Sequence, residues 1–205
     1  MPNYGTQGSG SNSTVPGARQ GLVSWMDSSN NFWLFGGLGI GSVVDSNPVY
    51  GALNDTWEYM PSTLQWVWQG PLGSNLGPDQ PGNYVAIGQA GTPGGRSWPT
   101  GWLDSSGNFW LFGGQEAGDG DGLNDLWLYS NGTWTWESGS SSPNQPGNYP
   151  LNVGTTGPTY APGARWNLAS WLDKNNNLWL FGGSGFDGTA TDPPGVLNDL
   201  WEFQP

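Results

Sequence analysis

Arginine recurs in this chain at one fixed place. Pro16-Gly17-Ala18-Arg19 returns as Pro93-Gly94-Gly95-Arg96 and again as Pro162-Gly163-Ala164-Arg165, and there is no other arginine. A planar guanidinium with a rigid fork of donors grips a carboxylate through two parallel hydrogen bonds. Two uses of that chemistry stay open. Three guanidinium groups gathered together can hold a carboxylate or an acidic peptide. One per repeat can instead tie down an Asp or backbone carbonyls at a structural junction. The carboxylates that recur alongside are Asp55, Asp125 and Asp199, each in a Leu-Asn-Asp triplet, and they are the expected partners. A second set, Asp27, Asp104 and Asp173, opens turns such as Asp27-Ser28-Ser29-Asn30, where Asp and Asn side chains bond their own backbone.

Much other chemistry is excluded. The chain has no Cys and no His. It therefore offers no disulfide, thiol nucleophile, imidazole base, Ser-His-Asp triad or histidine-held zinc. Sixteen acids leave carboxylate-pair hydrolysis open, but the spacing singles out no pair, so no catalytic residue, metal ligand or cofactor is assigned. Asp119-Gly120-Asp121-Gly122 looks like part of a calcium loop. It lacks the remaining ligands and the distal bidentate Glu, and reads better as a short acidic loop. The formal net charge of -12 argues against nucleic acid and against an anionic membrane surface. No apolar run is long enough for a transmembrane helix, and Met1-Pro2-Asn3-Tyr4 has no signal-peptide character.

Positioning these residues needs regular elements, and the composition limits which. Gly (36) and Pro (17) make up roughly a quarter of 205 residues, a share that suggests disorder. The 15 tryptophans argue against it, because disordered chains are poor in aromatics. Short strands joined by turns fit both facts. Six residues after each Arg comes Trp25, Trp102 or Trp171. Then Asn31-Phe32-Trp33-Leu34-Phe35-Gly36-Gly37 matches Asn108-Phe109-Trp110-Leu111-Phe112-Gly113-Gly114 and Asn177-Leu178-Trp179-Leu180-Phe181-Gly182-Gly183. Leu-Asn-Asp-x-Trp follows in each copy, and the first two copies end in Trp66-Val67-Trp68 and Trp134-Thr135-Trp136. Each copy predicts antiparallel strands: Arg to Trp, Asn to a stop at Gly-Gly, the Asn-Asp-x-Trp run and, in the first two copies, Trp-x-Trp. No segment sustains a 3.6-residue period, so almost no helix is expected. The segments 38–52, 115–122 and 184–196 are expected to be loops.

A four-stranded unit repeated about every 70 residues is the pattern of propeller blades. With the Arg opening strand one, Gly-Gly after strand two and a Trp in strand four, the chain resembles the kelch repeat, in its Pro-Gly-Ala-Arg, Leu-Phe-Gly-Gly, Leu-Asn-Asp-Leu-Trp variety. The resemblance covers almost everything from Pro16 onward, at a period longer than usual for the family. It implies an all-β chain of three kelch-type blades, over 16–82, 83–147 and 148–205, after a linker-like segment 1–15. The third blade lacks its outer strand. The resemblance also places Arg19, Arg96 and Arg165 near the mouth of a central channel. Trp98 and Trp166, close to them in sequence, are the aromatic candidates for a carbohydrate or peptide platform.

Three blades leave two open faces lined by Trp, Leu and Phe, and burying each such side chain contributes about 1.5–3 kcal/mol. Copies of the chain are therefore expected to pair blade to blade, in a ring or an open stack. The expected function is a non-catalytic scaffold or binding module, with itself as partner and a peptide or glycan as ligand, on a bacterial surface or outside the cell. The alternatives are a fragment of a larger secreted kelch protein that binds or processes carbohydrate, and an engineered piece. The copper carbohydrate oxidases with kelch propellers use His, Tyr and Cys, and this chain has no His or Cys.

Overall fold

The computed structural model describes residues 1–44, 47–71, 78–116, 120–189 and 194–205, and these contain no helix. They form three antiparallel, blade-like sheets. Blade 1 contains β1 (Arg19–Gln20), β2 (Val23–Met26), β3 (Phe32–Val44), β4 (Asn47–Met60) and β5 (Gln65–Gly70). Blade 2 contains β6 (Gln89–Gly91), β7 (Thr100–Leu103), β8 (Phe109–Gln115), β9 (Gly122–Ser130) and β10 (Thr133–Ser138). Blade 3 contains β11 (Arg165–Trp166), β12 (Ala169–Leu172), β13 (Leu178–Gly185) and β14 (Gly195–Phe203). The inner edges abut, with β7 lying against both β2 and β12.

Three local expectations are corrected. Strand one is not continuous: Gly21, Trp98 and Asn167, two residues after each Arg, have left-handed φ of 63°, 55° and 53°, and this splits it into two short pieces. Gly-Gly does not stop strand two. At Gly36, Gly113 and Gly182, with φ between 63° and 69°, the ladder skips a residue, and the strand continues through this bulge. The segment 38–52 is accordingly largely hairpin, with Leu38 opposite Ala52 and Ile40 opposite Tyr50. A side chain at Gly113 would meet the Arg165 carbonyl oxygen of the next blade at 2.6 Å, so the glycine both turns the strand and admits the neighbouring backbone.

The third correction concerns the outer edge. In blade 2 the linker supplies a fifth strand, β6, which pairs with β10 at Trp134–Gly91. The segment 1–15 plays the same part in blade 1: Ser11 bridges to Trp66, and the Gly8 N–H donates to the Trp68 carbonyl, as the Gly88 N–H does to Trp136.

The core lies between blades as well as within them. Trp25 and Phe35 of blade 1 pack with Phe109, Leu111, Trp127 and Trp134 of blade 2. Trp102, Trp110 and Phe112 of blade 2 pack with Leu178 and Leu180 of blade 3. Period-2 alternation makes this possible, because each strand sends alternate side chains to opposite blade neighbours.

Candidate binding surfaces

Each arginine is buried in its own blade. Arg96 Nη1 and Nη2 donate to Asp125 Oδ1 and Oδ2 at 2.6 and 2.7 Å, while Nη1 also reaches the Gly113 carbonyl and Nε the Gly94 carbonyl. Arg19 repeats this with Asp55, Gly36 and Gly17, and Arg165 with Asp199, Gly182 and Gly163. The bulge exposes the first glycine's carbonyl to the guanidinium, so strand two, strand three and the Arg are tied at one point. With its donors so occupied and its surface covered, the arginine set presents little to a ligand at a channel mouth.

Two members of this cluster went unrecognised in the sequence. Oδ2 of the Asp also accepts from the tyrosine hydroxyl of the outer linker and from the indole N–H two residues on. These are Tyr84 and Trp127 on Asp125, both at 2.6 Å, Tyr4 and Trp57 on Asp55, and Tyr149 and Trp201 on Asp199. The recurrence of Asn-Tyr at 3–4, 83–84 and 148–149 was the available signal. The second Asp set is structural too. Asp27 accepts the Ser29 and Asn31 amides, the Asn31 side chain and the Trp33 indole, and Asp104 and Asp173 do the same in their blades.

The electrostatics follow from these contacts. Burial opposes ionisation of Asp199, but hydrogen bonds from Arg165, Tyr149 and Trp201, with the charge of Arg165, outweigh it and hold its pKa at about 2. A carboxyl lowered on folding stabilises the fold above its unfolded value of about 4. That contribution disappears as pH falls from there through the folded value. Glu58, Glu116 and Glu137, raised chiefly by burial, act oppositely, since their protonation relieves a desolvation penalty. A melting temperature that falls steeply between about pH 4 and pH 2 is expected, with the limb shallower in Asp199→Asn, as thermal denaturation across pH will read.

At the inner edge the two tryptophan candidates part company. The Trp98 N–H donates to the Gly21 carbonyl, and the Asn167 N–H to the Trp98 carbonyl, a ladder running blade to blade. Trp98 thus aligns with Gly21 and Asn167, not with Trp166. Its ring covers Gly21, whose Cβ would meet it at 2.8 Å, while the Trp166 ring covers Gly122. Trp98 remains 40% exposed, and Trp166 is half-buried. Between blades 1 and 2 lies a cleft of about 210 Å³ lined by Gln7, Thr56, Gln69, Thr92 and Trp134, with no carboxylate among the described residues of its wall. Asp119 of the acidic loop lies outside the described residues, and no metal-ligating cluster occurs among those described.

The two terminal faces are built differently from their internal equivalents. Between blades 1 and 2, Trp25 stacks on Phe109 with centroids 3.9 Å apart and planes 8° apart, and Phe35 meets Trp134 at 5.0 Å. The residues equivalent to Trp25 and Phe35 on the forward face of blade 3 are Trp171 and Phe181, each 45% exposed. The equivalent of Phe109 on the rear face of blade 1 is Phe32, 39% exposed.

No family model matches the sequence, and no curated protein does. Among solved structures the fold is similar to that of YjhT, with a TM-score of 0.51 and 15% identity over 94% of this chain and 54% of that one. At that identity the likeness speaks for the fold alone, and this chain spans about half the length of that protein.

Proposed function

We propose that this chain is a non-catalytic, kelch-type propeller scaffold whose copies join blade to blade. The observation that carries the reading is the pair of terminal faces. Trp171 and Phe181 at one end, and Phe32 at the other, occupy the positions that make the buried junction between blades 1 and 2. Seating Phe32 of a second copy under Trp171 would reproduce the Trp25–Phe109 stack. The contact is head-to-tail, so it propagates until the accumulated rotation closes a ring. Two copies supply six blades, and together they match the length of the similar solved chain, of which one copy spans 54%. Buried arginines, structural aspartates and a cleft with no carboxylate among the described residues of its wall favour a scaffold over an enzyme.

The test is absolute mass in solution by light scattering. Wild type is expected at twice the chain mass. Trp171→Asp combined with Phe181→Asp is expected at the mass of one chain, with its strand circular dichroism kept. A wild-type protein that stays at one chain mass and unfolds cooperatively refutes the assembly.

The exposed ring of Trp98 favours a second role, as a platform for a glycan or peptide in a surface protein. A glycan panel read by calorimetry, with Trp98→Ala losing whatever binds, checks it. Turnover of any glycan that a single Asp→Asn change abolishes would overturn the scaffold reading.

A further inference from the structure

The cleft between blades 1 and 2 departs from the repeat pattern along its wall. Thr56, 2% exposed, stands in Leu-Asn-Asp-x-Trp where the other two copies have Leu126 and Leu200. Gln69 follows the first Trp-x-Trp where Glu137 follows the second. Gln7 precedes Gly8, whose N–H donates to the Trp68 carbonyl, and in the next blade Ile87 precedes Gly88, whose N–H donates to that of Trp136. Gln7, Thr56 and Gln69 all line the cleft. A buried hydroxyl in place of a leucine is costly unless its hydrogen bonds are made.

The polar groups of the wall are incompletely matched. The Gln7 amide nitrogen donates to the Gln69 carbonyl at 2.8 Å, but Gln7 Oε1 is buried without a hydrogen bond, which is unfavourable. The last torsion of a glutamine is soft, so a small rotation brings that oxygen to an incoming donor. Thr56 Oγ1 accepts the Trp134 indole N–H at 3.3 Å and keeps its own proton to give. Tyr129, 8% exposed, also lines the cleft, and its hydroxyl has no hydrogen bond among the described residues. Burial and the charge of Glu58 push its pKa up to about 12, so it stays a neutral donor at ordinary pH. The wall therefore combines an acceptor that lacks a donor with hydroxyls that lack acceptors. A ligand hydroxyl gives and takes, and so satisfies both.

Charge and size narrow the ligand further. Among the described residues the wall holds neither a carboxylate nor a cation, so no ion finds a counter-charge there. The formal net charge of -12 disfavours an anion again. The nearby Glu58 is already engaged, accepting Asn31 on Oε1 and Gln69 on Oε2 at 2.8 and 2.6 Å. The volume of about 210 Å³ is below the roughly 300–1,000 Å³ of pockets for drug-sized ligands and suits a single ring. Pro93 and Trp134 supply apolar wall for the C–H face of such a ring.

We propose that this cleft binds a neutral monosaccharide unit, free or at the end of a glycan, whose hydroxyls bond Gln7 Oε1, Thr56 Oγ1 and the Tyr129 hydroxyl. Trp98, Trp171, Phe181 and Phe32 are not among its lining residues, so this site stands or falls separately from the Trp98 platform and from the blade-to-blade assembly.

The probes are the methyl glycosides of glucose, galactose and mannose, with glucuronate and galacturonate as charged counterparts. Each is titrated into the full, isotope-labelled chain and followed by amide and indole N–H resonances. At least one neutral glycoside is expected to shift the Gln7 and Gln69 side-chain amides and the Trp134 indole saturably, with a Kd on the order of 1 mM. Tyr129→Phe removes only an unpaired hydroxyl. It should keep the melting temperature and weaken binding about fivefold, the equivalent of one neutral hydrogen bond. Gln7→Ile, which installs the residue of the next blade, should weaken it at least as much. Absence of saturable shifts up to about 100 mM, as an ordered water alone would give, overturns the proposal. So does equal affinity of Tyr129→Phe, a uronate that binds as tightly as the neutral sugar, or shifts centred on Trp98.

Discussion

Arg96→Ala is expected to destabilise the protein by about 3–5 kcal/mol, the range for removing one partner of a buried ion pair. Arg96 and Asp125 have fully buried side chains. Removing the cation leaves a carboxylate with no charge partner in a medium where an isolated charge is very costly. It also leaves the Gly113 and Gly94 carbonyls without their donor. Against a typical total of about 5–15 kcal/mol, that loss threatens the whole middle blade. Lysine is expected to rescue little, because a point charge cannot make the bidentate contact together with both carbonyl bonds. The double change Arg96→Met, Asp125→Leu should recover part of the loss, since no unpaired charge remains. Urea denaturation of the three variants measures each step. Equal stability of Arg96→Ala and wild type would contradict the account of the cluster.

Trp127→Ala is expected to be about as damaging, roughly 3–5 kcal/mol, and much worse than Trp201→Ala. Trp127 is fully buried, packs against Tyr84 at 5.1 Å and gives its indole N–H to Asp125 at 2.6 Å. Truncation opens a large void in the central blade and takes a donor from a carboxylate that has no water to replace it. Trp201 makes the equivalent bond to Asp199 but lies on β14, which among the described residues pairs only with β13, and is only half-buried. Water and local collapse can fill that site, so its cost is smaller. Chemical denaturation of the two variants gives the comparison, and equal losses would mean that the outer edge of blade 3 is as well packed as that of blade 2.

Much of the architecture was legible because the same residues recur three times. The repeats put Arg96 and Asp125 in one unit, and the two types have strong reason to pair, so the ion pair could be expected without coordinates. Asp27 and its equivalents could be read as turn residues from local chemistry alone. The continuation of strand two past Gly-Gly was not legible. Glycine reads as a stop, and only the bulge with Leu53, Leu123 or Leu197 opposite the second glycine shows that pairing resumes. β6 was missed for a related reason. Gln89–Gly91 is a three-residue strand without apolar alternation, held by its neighbour β10. Trp98 and Trp166 looked like a pair because both follow an Arg closely. A one-residue offset sends one onto the Gly21 turn and the other onto Gly122.

By itself, then, the sequence determined the number of blades, the pairing of charges within each and the absence of thiol and imidazole chemistry. These depend on residue identity and on contacts inside one repeating unit. The tertiary structure decided that the arginines face inward, that Tyr84 and its equivalents join the Arg–Asp cluster, and which apolar faces remain uncovered. Those outcomes depend on how one blade's backbone approaches the next and on which strand edge finds a neighbour. Both are long-range matters of packing that no spacing within a repeat encodes.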